Sequence, residues 1–82
     1  MVQVAVSPDF WVSRIYPEGI IERWLVQNGA TVKTDQPLAE LRIEGAMITL
    51  KSPASGILVI ETHGSSPIEP GAVVGHIDPP KA

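Results

Sequence analysis

Apolar residues in this chain recur at every second position, the period of a strand with one buried face, rather than at every third or fourth. Val2, Val4 and Val6 alternate with Gln3, Ala5 and Ser7 before Pro8-Asp9 interrupts the run with turn-forming residues, and a first strand is expected there. Residues 20–26 form a β-branched and aromatic run around Trp24, with Gly19 before it and Asn28-Gly29 after it. This predicts a second strand that ends in a tight turn, because Asn and Gly both tolerate positive φ. Residues 38–43, 46–51, 56–61 and 73–77 predict four more short strands. Turn residues fill the intervals between them: Thr34-Asp35-Gln36-Pro37, Ser52-Pro53-Ala54-Ser55-Gly56, Gly64-Ser65-Ser66-Pro67 and Glu69-Pro70-Gly71.

Eight prolines in 82 residues leave little room for a helix. Residues 18–27 are the only window with a helical alternative, placing Trp24 and Leu25 on one face, and its β-branched content and flanking glycines favour a strand. Many short strands with regular Pro and Gly punctuation mean an all-β sandwich or barrel. An internal near-repeat adds detail. Gly29, Val32, Asp35, Leu38 and Leu41 stand 36 residues before Ser65, Ile68, Gly71, Val74 and Ile77, and Gly19-Ile20-Ile21 stands 37 residues before Gly56-Ile57-Leu58. Two copies of one strand-turn-strand unit are too few for a solenoid. They predict two halves related by a pseudo-two-fold axis, each covering the other's apolar face. The joining segment, residues 41–51, then forms a hairpin with Glu44, Gly45 and Ala46 at its tip.

Length and composition narrow the function. A chain of 82 residues is one small domain with a correspondingly small core. With no cysteine, disulfides and thiolate metal sites are excluded. His63 and His76 stand far apart without a clustered carboxylate partner, so no metal site is expected. Six basic and nine acidic residues are scattered singly, which argues against a nucleic-acid surface. No apolar run nears the ~18 residues of a membrane span, and no basic-then-apolar leader opens the chain. A cytoplasmic domain, monomeric when isolated, is expected. No nucleophile-base pair or phosphate-cradling glycine loop is present, so no catalytic residue is assigned and the chain by itself is not read as an enzyme.

The order and spacing of four motifs resemble the biotinyl/lipoyl domain family, and within it the lipoyl domains of the acyltransferase subunits of 2-oxo acid dehydrogenase complexes. The motifs are Glu18-Gly19 with Trp24; Gly29 and Val32 with Leu38-Ala39-Glu40; Ser52 with Ser55-Gly56; and Pro70-Gly71 with Ile77. The resemblance spans most of the chain, and residues 1–78 are read as the domain. Residues 79–82 are read as the start of a Pro/Ala-type linker or a disordered tail. The resemblance implies a flattened barrel-sandwich hybrid of two four-stranded antiparallel sheets with a pseudo-two-fold axis. It also implies a lysine at an exposed hairpin tip, to which a ligase attaches lipoate or biotin so that the arm swings between active sites.

In the family that lysine lies eleven residues before the glycine of the Ser-Gly turn; eleven residues before Gly56 stands Gly45. The flanks Glu44 and Ala46 fit the lipoyl pattern better than the biotinyl Met-Lys-Met. Lys51 is six residues further along, and a hairpin cannot slide that far without exchanging the apolar faces of its strands. No cofactor is therefore expected on this chain. The expected role is a non-lipoylated docking or structural module with protein partners, 2-oxo acid dehydrogenase components among them. The alternative is a working swinging-arm carrier, modified at another lysine or altered at position 45.

A second departure is the apolar loop after Pro8-Asp9, about two residues longer than in the family. Phe10, Trp11 and Tyr16 are three of the four aromatic residues, and Ile15 lies among them. Exposed, these four side chains would form a partner-recognition patch; folded back, they would cap the open end of the barrel. Trp24 and Met47 are expected to pack in or against the core, and His63 to be a solvated loop residue.

Overall fold

Strand formation follows the period-two pattern closely. The computed structural model describes residues 1–11 and 19–80. It contains β1 (Val2–Ala5), a short 3-10 turn at Pro8–Phe10, β2 (Gly19–Trp24), β3 (Thr31–Val32), β4 (Pro37–Ile43), β5 (Ala46–Lys51), β6 (Gly56–Ile60) and β7 (Val73–Asp78). Every strand pair is antiparallel. One sheet has the order β1-β7-β6-β3 and the other β2-β4-β5. The window with a helical alternative is strand over most of its length. The two-residue β3 escapes a reading by alternation, since only Val32 of the pair turns inward.

The second sheet has three full strands where the resemblance implied four. Its fourth member is reduced to a bridge between Ile20 and Pro67, supported by bonds from Ile21 N to Ser66 O (3.0 Å) and from Ile68 N to Gly19 O (2.8 Å). Pro67 has no N–H to extend a ladder, which keeps this segment short. The result is an all-β barrel-sandwich with a small break at one edge.

The near-repeat is real symmetry. Gly29 and its counterpart Ser65 both have positive φ (89° and 64°), and so do Asp35 and Gly71 (68° and 83°). The apolar members of the repeat, Val32 and Ile68, Leu38 and Val74, Leu41 and Ile77, are all buried. Moreover β3 of the first half pairs with β6 of the second, while the Pro67 segment of the second half bridges to β2 of the first. Each half thus lends a segment to the other's sheet, which is how two units too small to bury their own faces make one core.

That core contains Val4, Val6, Ile21, Val32, Leu38, Leu41, Ile43, Leu58, Val74 and Ile77, with Trp11 at its edge. Trp24 packs against the core, as expected. It is half-buried against the cluster, and its indole N–H donates to Thr62 O at 2.9 Å, tying β2 to the loop after β6. A bulge in β2 between Ile21 and Arg23 sets Trp24 opposite buried Ala39, on the inward side of the sheet, where strict alternation from Ile21 would have turned it outward. Trp24→Phe keeps the ring contact and loses the hydrogen bond. We expect a loss of about 1 kcal/mol, read as a fall in Tm of roughly 4–8 °C. An unchanged Tm would show that the bond contributes nothing.

Candidate functional site

The β4–β5 hairpin closes with Ile43 paired to Ala46, leaving Glu44 and Gly45 as the two loop residues. Their φ values are 52° and 82°. Positive φ at both central positions is the type I′ arrangement, whose twist matches that of the flanking strands. Glycine enters this region without penalty at the second position, whereas Glu44 carries a Cβ there and bears a small strain. A Cβ built on Gly45 would meet no atom within 4 Å, so the tip projects into open space. Glu44, Gly45 and Ala46 are all exposed. The tip carries a carboxylate, a glycine and a methyl group and has no amine; these residues do not fit amide attachment of a cofactor.

The described lysines lie at the other end of the strands. Lys51 is opposite Pro37 at the far end of the β4–β5 ladder, about 20 Å from Gly45 at 3.3 Å per residue. Lys33 precedes a turn held to the same far end by bonds from Thr34 N to Ser55 Oγ (3.0 Å) and from Asp35 N to Ser52 O (2.8 Å).

Beside the tip, Gly19, Ile20, Arg42, Glu44 and Gly45 line a shallow, open pocket. Arg42 belongs to a charged outer face of the three-stranded sheet, where its guanidinium donates to Glu22 at 3.2 Å and Arg23 pairs with Glu40. Both are exposed cross-strand pairs of modest energy. Met47, opposite Arg42 on β5, is 49% exposed, against the expectation that it packs. Its position was legible from parity: Ile48 and Leu50 turn inward, so Met47 must turn outward. Gly19, Ile20 and Arg42 carried no comparable signal, because only the pairing of β2 with β4 brings them to the tip.

The aromatic segment divides. Trp11 is 7% exposed and belongs to the core, which corrects its reading as a partner-recognition residue. Its ring lies directly over Gly19, where an added Cβ would come within 2.8 Å of Cζ2. The cause is a shortage of apolar surface: a small barrel gains more from an indole capping its end than from displaying it. Phe10 is half-buried against the same cluster. Ile15 and Tyr16 lie outside the described residues, as does Glu18.

His63 is exposed, as expected. His76 is not isolated from carboxylates: Nδ1 is 2.5 Å from Glu61 Oε1 and Nε2 is 3.3 Å from Asp78 Oδ1. Residue spacing concealed this, since Glu61 reaches His76 only through the β6–β7 pairing. The two carboxylates address opposite sides of the ring, and no group of three or more His, Asp or Glu side chains that could hold a metal ion occurs among the described residues. Among the same residues no helix is long and apolar enough to cross a membrane.

Comparison with known proteins agrees with this architecture. Two curated relatives are each named the dihydrolipoyllysine-residue acetyltransferase component of pyruvate dehydrogenase complex, one from Mycobacterium bovis and one from Mycobacterium tuberculosis. Each is 42% identical over 40 residues, a stretch that is 49% of this chain and 7% of the relative's length. The chain is thus similar to a small part of those proteins. A biotin/lipoyl family model, described as "Biotin-requiring enzyme", matches residues 6–77. That match takes in β2 to β6, β7 as far as Ile77, the hairpin and both copies of the repeat, and the chain belongs to the biotin/lipoyl family.

Proposed function

We propose that this chain is a lipoyl-type domain that carries no cofactor of its own and serves as a docking or structural module for a 2-oxo acid dehydrogenase complex. The observation that carries the reading is the hairpin tip. Gly45 stands eleven residues before Gly56, the spacing of the family's attachment lysine, and it is one of the two residues of the turn. The residue that would make the arm is absent at the one place where the fold would present it. Lys33 and Lys51 are at the opposite end of the barrel, so neither substitutes for it by a small shift.

Without an arm, what remains is shape and charge. The tip, with Glu44 and Ala46 beside the pocket of Gly19, Ile20 and Arg42, is a surface that a partner of lipoyl domains can still read. Its activity is binding and not chemistry. The similarity to an acetyltransferase component of pyruvate dehydrogenase complex supports a partner from that class of assembly.

An NMR titration of the 15N-labelled chain with purified components of such a complex tests the docking role. Amide shifts are expected at Gly19, Ile20, Arg42 and residues 44–47. Shifts confined to the opposite end, around Lys33 and Ser52, or none with any component, would contradict it.

A further inference from the structure

The two sheets end in edges of different character. In the β4–β5 ladder Ala46 pairs with Ile43, and Ser52, just past the strand, exchanges bonds with Gln36 O (2.9 Å) and Asp35 N (2.8 Å). Antiparallel pairing alternates, so Ala46, Ile48, Leu50 and Ser52 direct their backbone groups toward β4. Met47, Thr49 and Lys51 direct theirs away from it. β5 is the terminal strand of its sheet, and no backbone bond joins these three residues to another segment among the described residues. The opposite sheet protects its edges: β3 has two residues, and β1 has four with a register break between Val4 and Ala5. Proteins blunt edges by shortness, bulges and lysines; β5 has six residues and no bulge of its own, and its one lysine, Lys51, stands at its end.

The side chains along this edge define what fits. Ile48 faces inward yet is only partly buried, so an added strand should bring an apolar residue beside it. Lys51 is exposed and has no ion pair among the described residues, so an acidic residue on an added strand would complement it. A second β5 running antiparallel meets every requirement. With Ile48 opposite Ile48 of the second copy, Met47 falls opposite Thr49, and both residues direct N–H and C=O outward. Lys51 then falls opposite Gly45 of the second copy, with Glu44 adjacent. Because the operation is two-fold, each of these contacts occurs twice.

We propose that the β5 edge is a self-association surface, through which two copies of this chain join their three-stranded sheets into one continuous sheet. The proposal is independent of whether Gly45 is an attachment position. Four backbone bonds and two rim ion pairs make a weak contact, so the chain is a monomer when dilute and pairs at about millimolar concentration.

A 15N NMR dilution series with sedimentation equilibrium tests this. The amides of Met47, Thr49 and Lys51 should shift with concentration, together with a rise in mass toward the dimer. Thr49→Pro should abolish both effects while leaving the fold intact, since the N–H it removes points away from β4. Lys51→Glu should weaken association at least severalfold, and adding Glu44→Lys should restore it, which keeps the test decisive if the proline variant does not fold. Concentration-independent spectra up to the solubility limit would overturn the proposal, as would shifts that appear instead along β1, or association unchanged by Lys51→Glu.

Discussion

Gly45→Lys is expected to convert an unmodified chain into a substrate of lipoate ligase, seen as a gain of one lipoyl group in the intact mass. The substitution is affordable to the fold. A side chain at φ 82° is strained, at about 1 kcal/mol relative to glycine. No atom lies within 4 Å of the new Cβ, so no packing is disturbed. Its neighbours, Glu44 and Ala46, already match the lipoyl setting, and the two-residue turn projects position 45 beyond both strands. The lysine stem would then carry its amine further into solvent, as a ligase pocket requires. A folded Gly45→Lys protein that stays unmodified beside active ligase would count against the correspondence of position 45 with the attachment lysine.

Gly56→Ala should have the largest effect on stability of any single methyl addition outside the core. Gly56 opens β6 against the end of β7, and an added Cβ would stand 2.0 Å from Asp78 O and 2.8 Å from Ile77 Cγ2. The first of these is backbone, so no rotamer change relieves it; either β7 moves or the Val32–Gly56 and Ile57–Asp78 pairings break. We expect a loss of about 3 kcal/mol in urea denaturation, a large share of the roughly 4–12 kcal/mol available to a domain of this size. Gly45→Ala, with open space around it, should lose only about 1 kcal/mol. A Gly56→Ala protein as stable as Gly45→Ala would contradict the close approach of β6 and β7.

The contrast between these two glycines shows what the sequence could disclose. Both stand where strands meet turns, and both were marked by the resemblance to the family's motifs. The strands themselves were legible because alternation is a local property, and the repeat was legible because paired halves leave matching residues at a constant offset. Its deepest confirmation is the positive φ shared by Gly29 and Ser65, a serine in the turn segment at residues 64–67. What could not be read depends on contacts between distant segments. Trp11 could be read from sequence either as a surface residue or as one folded back over the barrel, and only its burial against Gly19 decides between the two. His76 has Asp78 two residues along its own strand, a neighbour legible from alternation, whereas Glu61 reaches it only through the β6–β7 pairing. Trp24 faces inward because a bulge in β2 sets it opposite Ala39, a shift that alternation does not show. The candidate site shows the same division: Glu44, Gly45 and Ala46 follow from spacing, while Gly19, Ile20 and Arg42 join them only through the β2–β4 register.

The intact mass of the natural chain, produced in cells replete with lipoate and biotin and with both ligases active, tests the central claim most directly. The unmodified mass is expected throughout, with the Gly45→Lys protein prepared alongside gaining one lipoyl group. A stoichiometric lipoyl or biotinyl adduct on Lys33, Lys51 or Lys81 of the natural chain would contradict it.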